Sequence, residues 1–130
     1  MKYLGCLSTL IVGAFLLICS FTFAGEEKKI RGEEKTITGQ VVDPGCYIAM
    51  NLKGESHKQC ANACAKASQA FGILDDKNGG LYQVIEGAPT TDPNQLLWDH
   101  VEQNVTVKGK VFHKEGMHAI VPTGVKPAGS

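Results

Sequence analysis

The chain lacks the phosphate-cradling Gly-rich loop of nucleotide-binding proteins, the Gly-x-Ser-x-Gly elbow of serine hydrolases and the Cys-x-x-Cys-His attachment site of haem c. Nucleotide chemistry, serine hydrolysis and covalent haem binding therefore have no support. Neither sign of charge is in excess: 13 Lys and Arg stand against 13 Asp and Glu. No basic stripe breaks that balance, so the electrostatic footprint of a nucleic-acid binder is missing. Internal repeats and low-complexity tracts are absent as well. No catalytic constellation is found, and nothing in the sequence argues for an enzyme.

What is present begins with an export signal. Lys2 gives a short positive start, Leu4 to Phe23 is almost unbroken apolar sequence, and Thr22-Phe23-Ala24 places small residues where a signal peptidase reads. Charged residues from Glu26 to Lys29 follow. This predicts a signal peptide over 1–24 cut near Ala24, and a periplasmic or secreted location. Two alternatives are retention as a membrane anchor, since the apolar run is nearly long enough to span, and lipidation at Cys19. Ile18 directly before Cys19 argues against lipidation, which favours a small residue there. Loss of the leader removes Lys2, leaving 12 basic against 13 acidic residues. It also removes Cys6 and Cys19, leaving Cys46, Cys60 and Cys64.

Residues 25–35 are charged and poor in apolar side chains, and are expected to form a flexible leader. A single domain is expected over 36–126, with a loose tail over 127–130. Alternation and β-branching predict strands at 36–42, 71–74, 81–85, 105–112 and 118–122. Asp43-Pro44-Gly45 should stop the first strand and open a loop over 46–55. Ser56 with Gln59 reads as a capping box for an Ala-rich helix over 57–70, stopped by Gly72. Asp92-Pro93 opens a short second helix through Leu96, Leu97 and His100. The fold expected is mainly β with inserted helices, a small OB-like five-stranded Greek-key barrel. A five-stranded α+β sandwich is the alternative.

The chemistry concentrates in Cys46-Tyr47 and in His57, Cys60 and Cys64, which a helix would place on one face at i, i+3 and i+7. Cys46, on the loop returning to that helix, supplies a fourth donor. Three thiolates and one imidazole make a Cys3His shell suited to Zn2+, and thiolate-rich sites also select Cu+. The closest pair is Cys-x3-Cys on a helix, which is neither a zinc-knuckle turn nor a thioredoxin Cys-x-x-Cys. Three cysteines fall short of the four that hold an iron–sulfur cluster.

Two other readings stand beside the metal site. An oxidising compartment favours a disulfide from Cys46 to Cys60 or Cys64 with one thiol spare. That would make a stapled module for binding an envelope protein. Alternatively, Cys60 and Cys64 belong to a buried helix face continuing through Ala67 and Phe71. A further idea is redox sensing by Cys60, whose thiol a helix N-terminus would acidify.

A second metal candidate is His113, Met117 and His118 on the last hairpin, where the two histidines should lie opposite one another and His with Met suits copper. That hairpin is also a candidate lid over the cysteine site. Met50 reads as gap filler, Trp98 as packing, His100 as surface, and Asp75 with Asp76 as turn residues.

The segment from Thr38-Gly39-Gln40-Val41-Val42-Asp43 to Cys46-Tyr47, the His57-x2-Cys60-Ala61-x2-Cys64 run, Gly72-Ile73-Leu74 and the closing Val105 to Val111 strand together resemble a family of small exported bacterial proteins. The resemblance covers most of 36–125. It implies that Cys46, His57, Cys60 and Cys64 belong to one site, and it transfers no activity.

Overall fold

A computed structural model describes residues 31–130. The signal-peptide reading, the first part of the leader, Cys6 and Cys19 lie outside the described residues. Five strands, β1 (Glu33–Val42), β2 (Gly72–Asp75), β3 (Leu81–Val84), β4 (Asn104–Lys114) and β5 (Met117–Pro127), close in the order β1-β2-β3-β5-β4. All neighbours are antiparallel except β3 and β5, which pair in parallel through Gln83 with Ala119 and Val84 with Ile120. This is the OB-like barrel expected from the sequence. Closure gives every strand a hydrogen-bonded neighbour on both sides.

Strand alternation builds the core. Val105, Val107 and Val111 of β4 point inward, as do Ile37 and Val41 of β1, and they meet Phe71, Ile73, Val84 and Ile120. The inward β4 position between Val107 and Val111 is Gly109, where the pairing with β5 shifts register. A Cβ there would lie 2.4 Å from the Val121 carbonyl oxygen, so only glycine admits the bulge that bends β4 around the barrel. Gly39 faces the same constraint in β1, with Leu74 O 2.1 Å from its virtual Cβ. Gly39→Ala is expected to force β1 and β2 apart and cost about 3 kcal/mol. On a domain this size that lowers the melting temperature by roughly 10–20 °C, measurable by circular dichroism.

Two short helices lie between β1 and β2: α1 (Pro44–Met50) and α2 (Lys58–Lys66), the latter preceded by a 3-10 turn over Glu55–His57. The loop expected over 46–55 is therefore partly helical. Asp43-Pro44 does stop β1, but Asp is also a strong N-cap and Pro suits the first helical turn. Asp43 Oδ1 accepts from the Cys46 N–H at 3.1 Å, and Asn51 closes α1 in the left-handed conformation.

Several boundaries differ from expectation. The helix expected to run to residue 70 ends at Lys66, because Ser68 turns left-handed and Gln69 N–H returns to Cys64 O. Ser56 and Gln59 form no capping box: Ser56 lies within the 3-10 turn, and no side chain caps α2. The second helix shrinks to a 3-10 turn over Trp98–His100, with Asp92 accepting from Asn94 N–H and Trp98 Nε1. β1 starts at Glu33, inside the expected leader, because Glu33 to Lys35 pair with β4. β5 runs to Pro127, and Ala128 N–H still donates to Asn104 O.

α2 seals the barrel through alanines. Ala61 and Ala65, one turn apart, are buried in the core cluster. The helix face bearing Cys60 and Cys64 is rotated away, with Cys60 exposed and Cys64 half-buried. The reading of these cysteines as core residues is thus corrected, since the core positions fall to the alanines beside them.

Candidate metal centre

Three chain segments converge where β1 ends and β4 begins. Val42 leads into Asp43 and α1, which carries Cys46. The 3-10 turn and α2 carry His57, Cys60 and Cys64. The residues just before β4 supply Glu102. Gln40 pairs with Asn104, and Val41 N–H donates to Gln103 O at 3.0 Å, which tie the segments together.

The potential ligand atoms form two sets that share Cys46. In one, Cys46, His57 and Cys60 have ligand atoms within 4.8 Å of one another; in the other, Asp43, Cys46 and Cys64 do. Two sulfurs on one tetrahedral zinc, with bonds of about 2.3 Å, sit roughly 3.8 Å apart. Small side-chain movements close the difference. Among the described residues, Cys46, Cys60 and Cys64 are all free thiols.

His57 is buried, and its two ring nitrogens differ sharply. Nδ1 lies 2.9 Å from Glu102 Oε1, while Nε2 is buried with no hydrogen-bond partner. A carboxylate only accepts, so Nδ1 carries the proton. That tautomer leaves the Nε2 lone pair for a metal, the arrangement by which an outer carboxylate orients a ligating histidine. Glu102 is itself fixed from several sides. Its Oε2 accepts from Gly54 N–H at 2.6 Å and Gln40 Nε2 at 3.2 Å, and its backbone is held at a φ of 60°. Such a backbone costs of order 1–3 kcal/mol and persists only where surroundings over-determine it.

Asp43 shows the same division. Oδ1 accepts from Cys46 N–H and from Gln69 Nε2 at 2.7 Å, whereas Oδ2 is buried and receives no N–H or O–H donor, with only the Cys46 and Cys64 thiols beside the carboxylate. Burial acts to raise the Asp43 pKa, but the Cys46 N–H and the thiols of Cys64 and Cys46 outweigh it and hold the carboxyl below its usual value. The cysteines respond in the opposite sense. Burial, with the Asp43 carboxylate beside it, pushes the Cys46 thiol up to about 12. Cys64 is also raised, first by its hydrogen bond to Asp43 and then by burial. Both thiols therefore hold protons at neutral pH, and a metal bound here would have to displace them. Zinc affinity is expected to rise steeply from pH 6 to 8. Proton release measured by titration in two buffers of different ionisation enthalpy checks this.

A stability effect follows from Asp43. Its folded-state pKa is depressed, so its contribution is present above the unfolded value and is lost as pH falls through the folded one. Metal-free protein should lose stability below about pH 4, and Asp43→Asn should flatten that part of the profile, read as urea midpoint against pH.

The hairpin candidates separate. Glu115 and Gly116, both at positive φ, form the tight turn, and His113 pairs with His118 as expected. The two Nδ1 atoms approach to 2.5 Å, and Tyr82 packs against both rings. Ile120 is core, so His118 shares its face and Met117 takes the other. Among the described residues, no Cys, Asp or Glu joins the two histidines in a set of three. Nor does the hairpin close over the cysteine site. Glu102 precedes β4 and His113 lies near its far end, so roughly 30 Å of strand separates them.

Asp43 and Glu102 were not legible as site residues. Asp43 reads as a strand stop. Glu102 lies far from the cysteines in sequence, and only barrel closure brings it to His57. Met50 is exposed near Cys46, and Ile48 and Leu52 are exposed with it. Comparison with protein-family models, with curated proteins and with solved structures finds no match for this chain.

Proposed function

We propose that this protein is an exported, non-catalytic metal-binding module that holds a soft or borderline ion, Zn2+ or Cu+, with Cys46, His57, Cys60 and Cys64 as its donors. The observation carrying this reading is the set formed by Cys46, His57 and Cys60, into which a buried histidine offers a nitrogen with no other partner. An orphaned buried polar atom costs about 1–3 kcal/mol, which coordination would recover. Thiolates with a neutral imidazole suit Zn2+ and Cu+ and disfavour hard cations. Retention or transfer of the ion, without turnover, is the activity this donor set supports. The apolar run over 4–23, read as part of an export signal, and the resemblance to small exported bacterial proteins support a location outside the cytoplasm. The ion itself is the partner, with an envelope protein as the acceptor on transfer.

The test is competition for Zn2+ and Cu+ between the reduced protein and a chromophoric chelator. Binding tighter than micromolar, weakened at least tenfold in Cys60→Ser and in Cys64→Ser, is expected. Equal binding by the parent and Cys64→Ser would remove Cys64 from the site.

A second reading rests on the shared position of Cys46, whose thiol lies within 4.8 Å of donor sets containing Cys60 and Cys64. Either pair could close a disulfide and leave one thiol over, giving a stapled interaction module. Thiol counting separates the two: three free thiols after purification without reductant favour metal, and one favours the staple.

A further inference from the structure

We infer that the cysteine site has two metal positions bridged by Cys46: one held by His57, Cys46 and Cys60, the other by Asp43, Cys46 and Cys64. The inference rests on the metal reading above and divides its donor set.

Three observations carry it. First, the donors fall into two sets of three, and Cys46 is common to both. A thiolate sulfur has lone pairs enough to bridge two ions. Second, each set contains a residue with one buried polar atom that no N–H or O–H donor or acceptor satisfies: His57, through Nε2, in the first and Asp43, through Oδ2, in the second. Asp43 is 1% exposed, and its Oδ1 already serves the α1 N-cap and Gln69. Oδ2 is thus left with only thiols beside it in a place where water does not reach it, and a cation taking the place of their protons would satisfy it. Third, charge favours two ions. Three thiolates and one carboxylate have a formal charge of minus four, which two divalent cations cancel.

The Asp43 carboxylate also speaks to the element. Zn2+ accepts Asp oxygen alongside Cys sulfur, whereas Cu+ prefers soft donors alone. The second position is therefore a Zn2+ position. With three protein donors at each position, every ion keeps a fourth site for water or for a donor from an acceptor protein. That opening suits an ion that is passed on more than one permanently enclosed.

The experiment is stoichiometric zinc titration of reduced protein expressed from the full-length sequence, read by native mass spectrometry. The parent is expected to take two Zn2+ per chain. Asp43→Asn keeps the Oδ1 acceptor and the N-cap, because Asn caps as well as Asp; it should take one. Cys64→Ser should also take one, and serves if Asp43→Asn melts too low to use. His57→Ala should retain the other position and again take one. A parent that takes one Zn2+, with Asp43→Asn unchanged in affinity, overturns the second position and leaves the metal reading standing. Two Zn2+ on Asp43→Asn would remove Asp43 from the site. A parent that takes none overturns both.

Discussion

Cys46→Ser is expected to abolish high-affinity metal binding, weakening it more than about 100-fold, beyond what loss of an outer hydrogen-bond partner costs. The reason is positional. Cys46 belongs to both donor sets, so its loss leaves His57 with Cys60 and Asp43 with Cys64, two donors each. Cys60→Ser and Cys64→Ser each damage only one set and should do less. The fold should survive, because Cys46 is only half-buried and its backbone N–H, not its thiol, completes the α1 cap. Chelator competition at fixed pH gives the affinities, and circular dichroism gives the fold. If Cys60→Ser proved the more damaging change, the ion would be centred on α2 and Cys46 would be peripheral.

Glu102→Ala has the second-largest expected effect, and it acts on two readouts. The Glu102 side chain is wholly buried and takes hydrogen bonds from His57 Nδ1, Gly54 N–H and Gln40 Nε2. Removal leaves the first two without their acceptor, at a cost of about 1–3 kcal/mol for each buried donor. Metal affinity should fall as well, by roughly 10–100-fold, because His57 is no longer held in the tautomer that presents Nε2. Glu102→Gln separates the effects. It preserves volume, but its amide sets a donor against one of the surrounding donors, so packing survives while the histidine loses its fixed orientation. A Glu102→Gln protein with parental metal affinity would reduce Glu102 to a structural role.

The barrel was legible because its signals are local. Val105 to Phe112 alternates with β-branched residues at the inward positions, and the turn at Glu115-Gly116 lies between two clear strands, so strand number, hairpin and His113–His118 pairing could be read directly. The Cys and His donors were legible for a similar reason, since short spacing along the chain marks His57, Cys60 and Cys64, although the structure divides His57 with Cys60 and Cys64 between two sets that meet at Cys46. The remainder depends on tertiary structure. Asp43-Pro44-Gly45 fits a strand stop and a helix start equally well, so α1 was hidden. The Ala-rich run 61–70 has high helix propensity throughout, but Ser68 ends the helix early once Gln69 turns back to Asp43 and Cys64. Glu102 sits 45 residues from His57 in the chain, and no spacing rule links them. The core reading of Cys60 and Cys64 failed on a rotation of one residue: Ala61 and Ala65 take the inward face.

Whether these thiols and His57 hold a metal ion is decided by native mass spectrometry of protein expressed from the full-length sequence. The protein is purified without reductant or chelator, then measured before and after mild acidification. The expected result is a mass increment of one or two metal ions that disappears on acidification and is absent in Cys46→Ser. A mass deficit of two hydrogens with no metal, unchanged when Zn2+ and Cu+ are added back under reducing conditions, would contradict it and leave the disulfide-stapled module in its place.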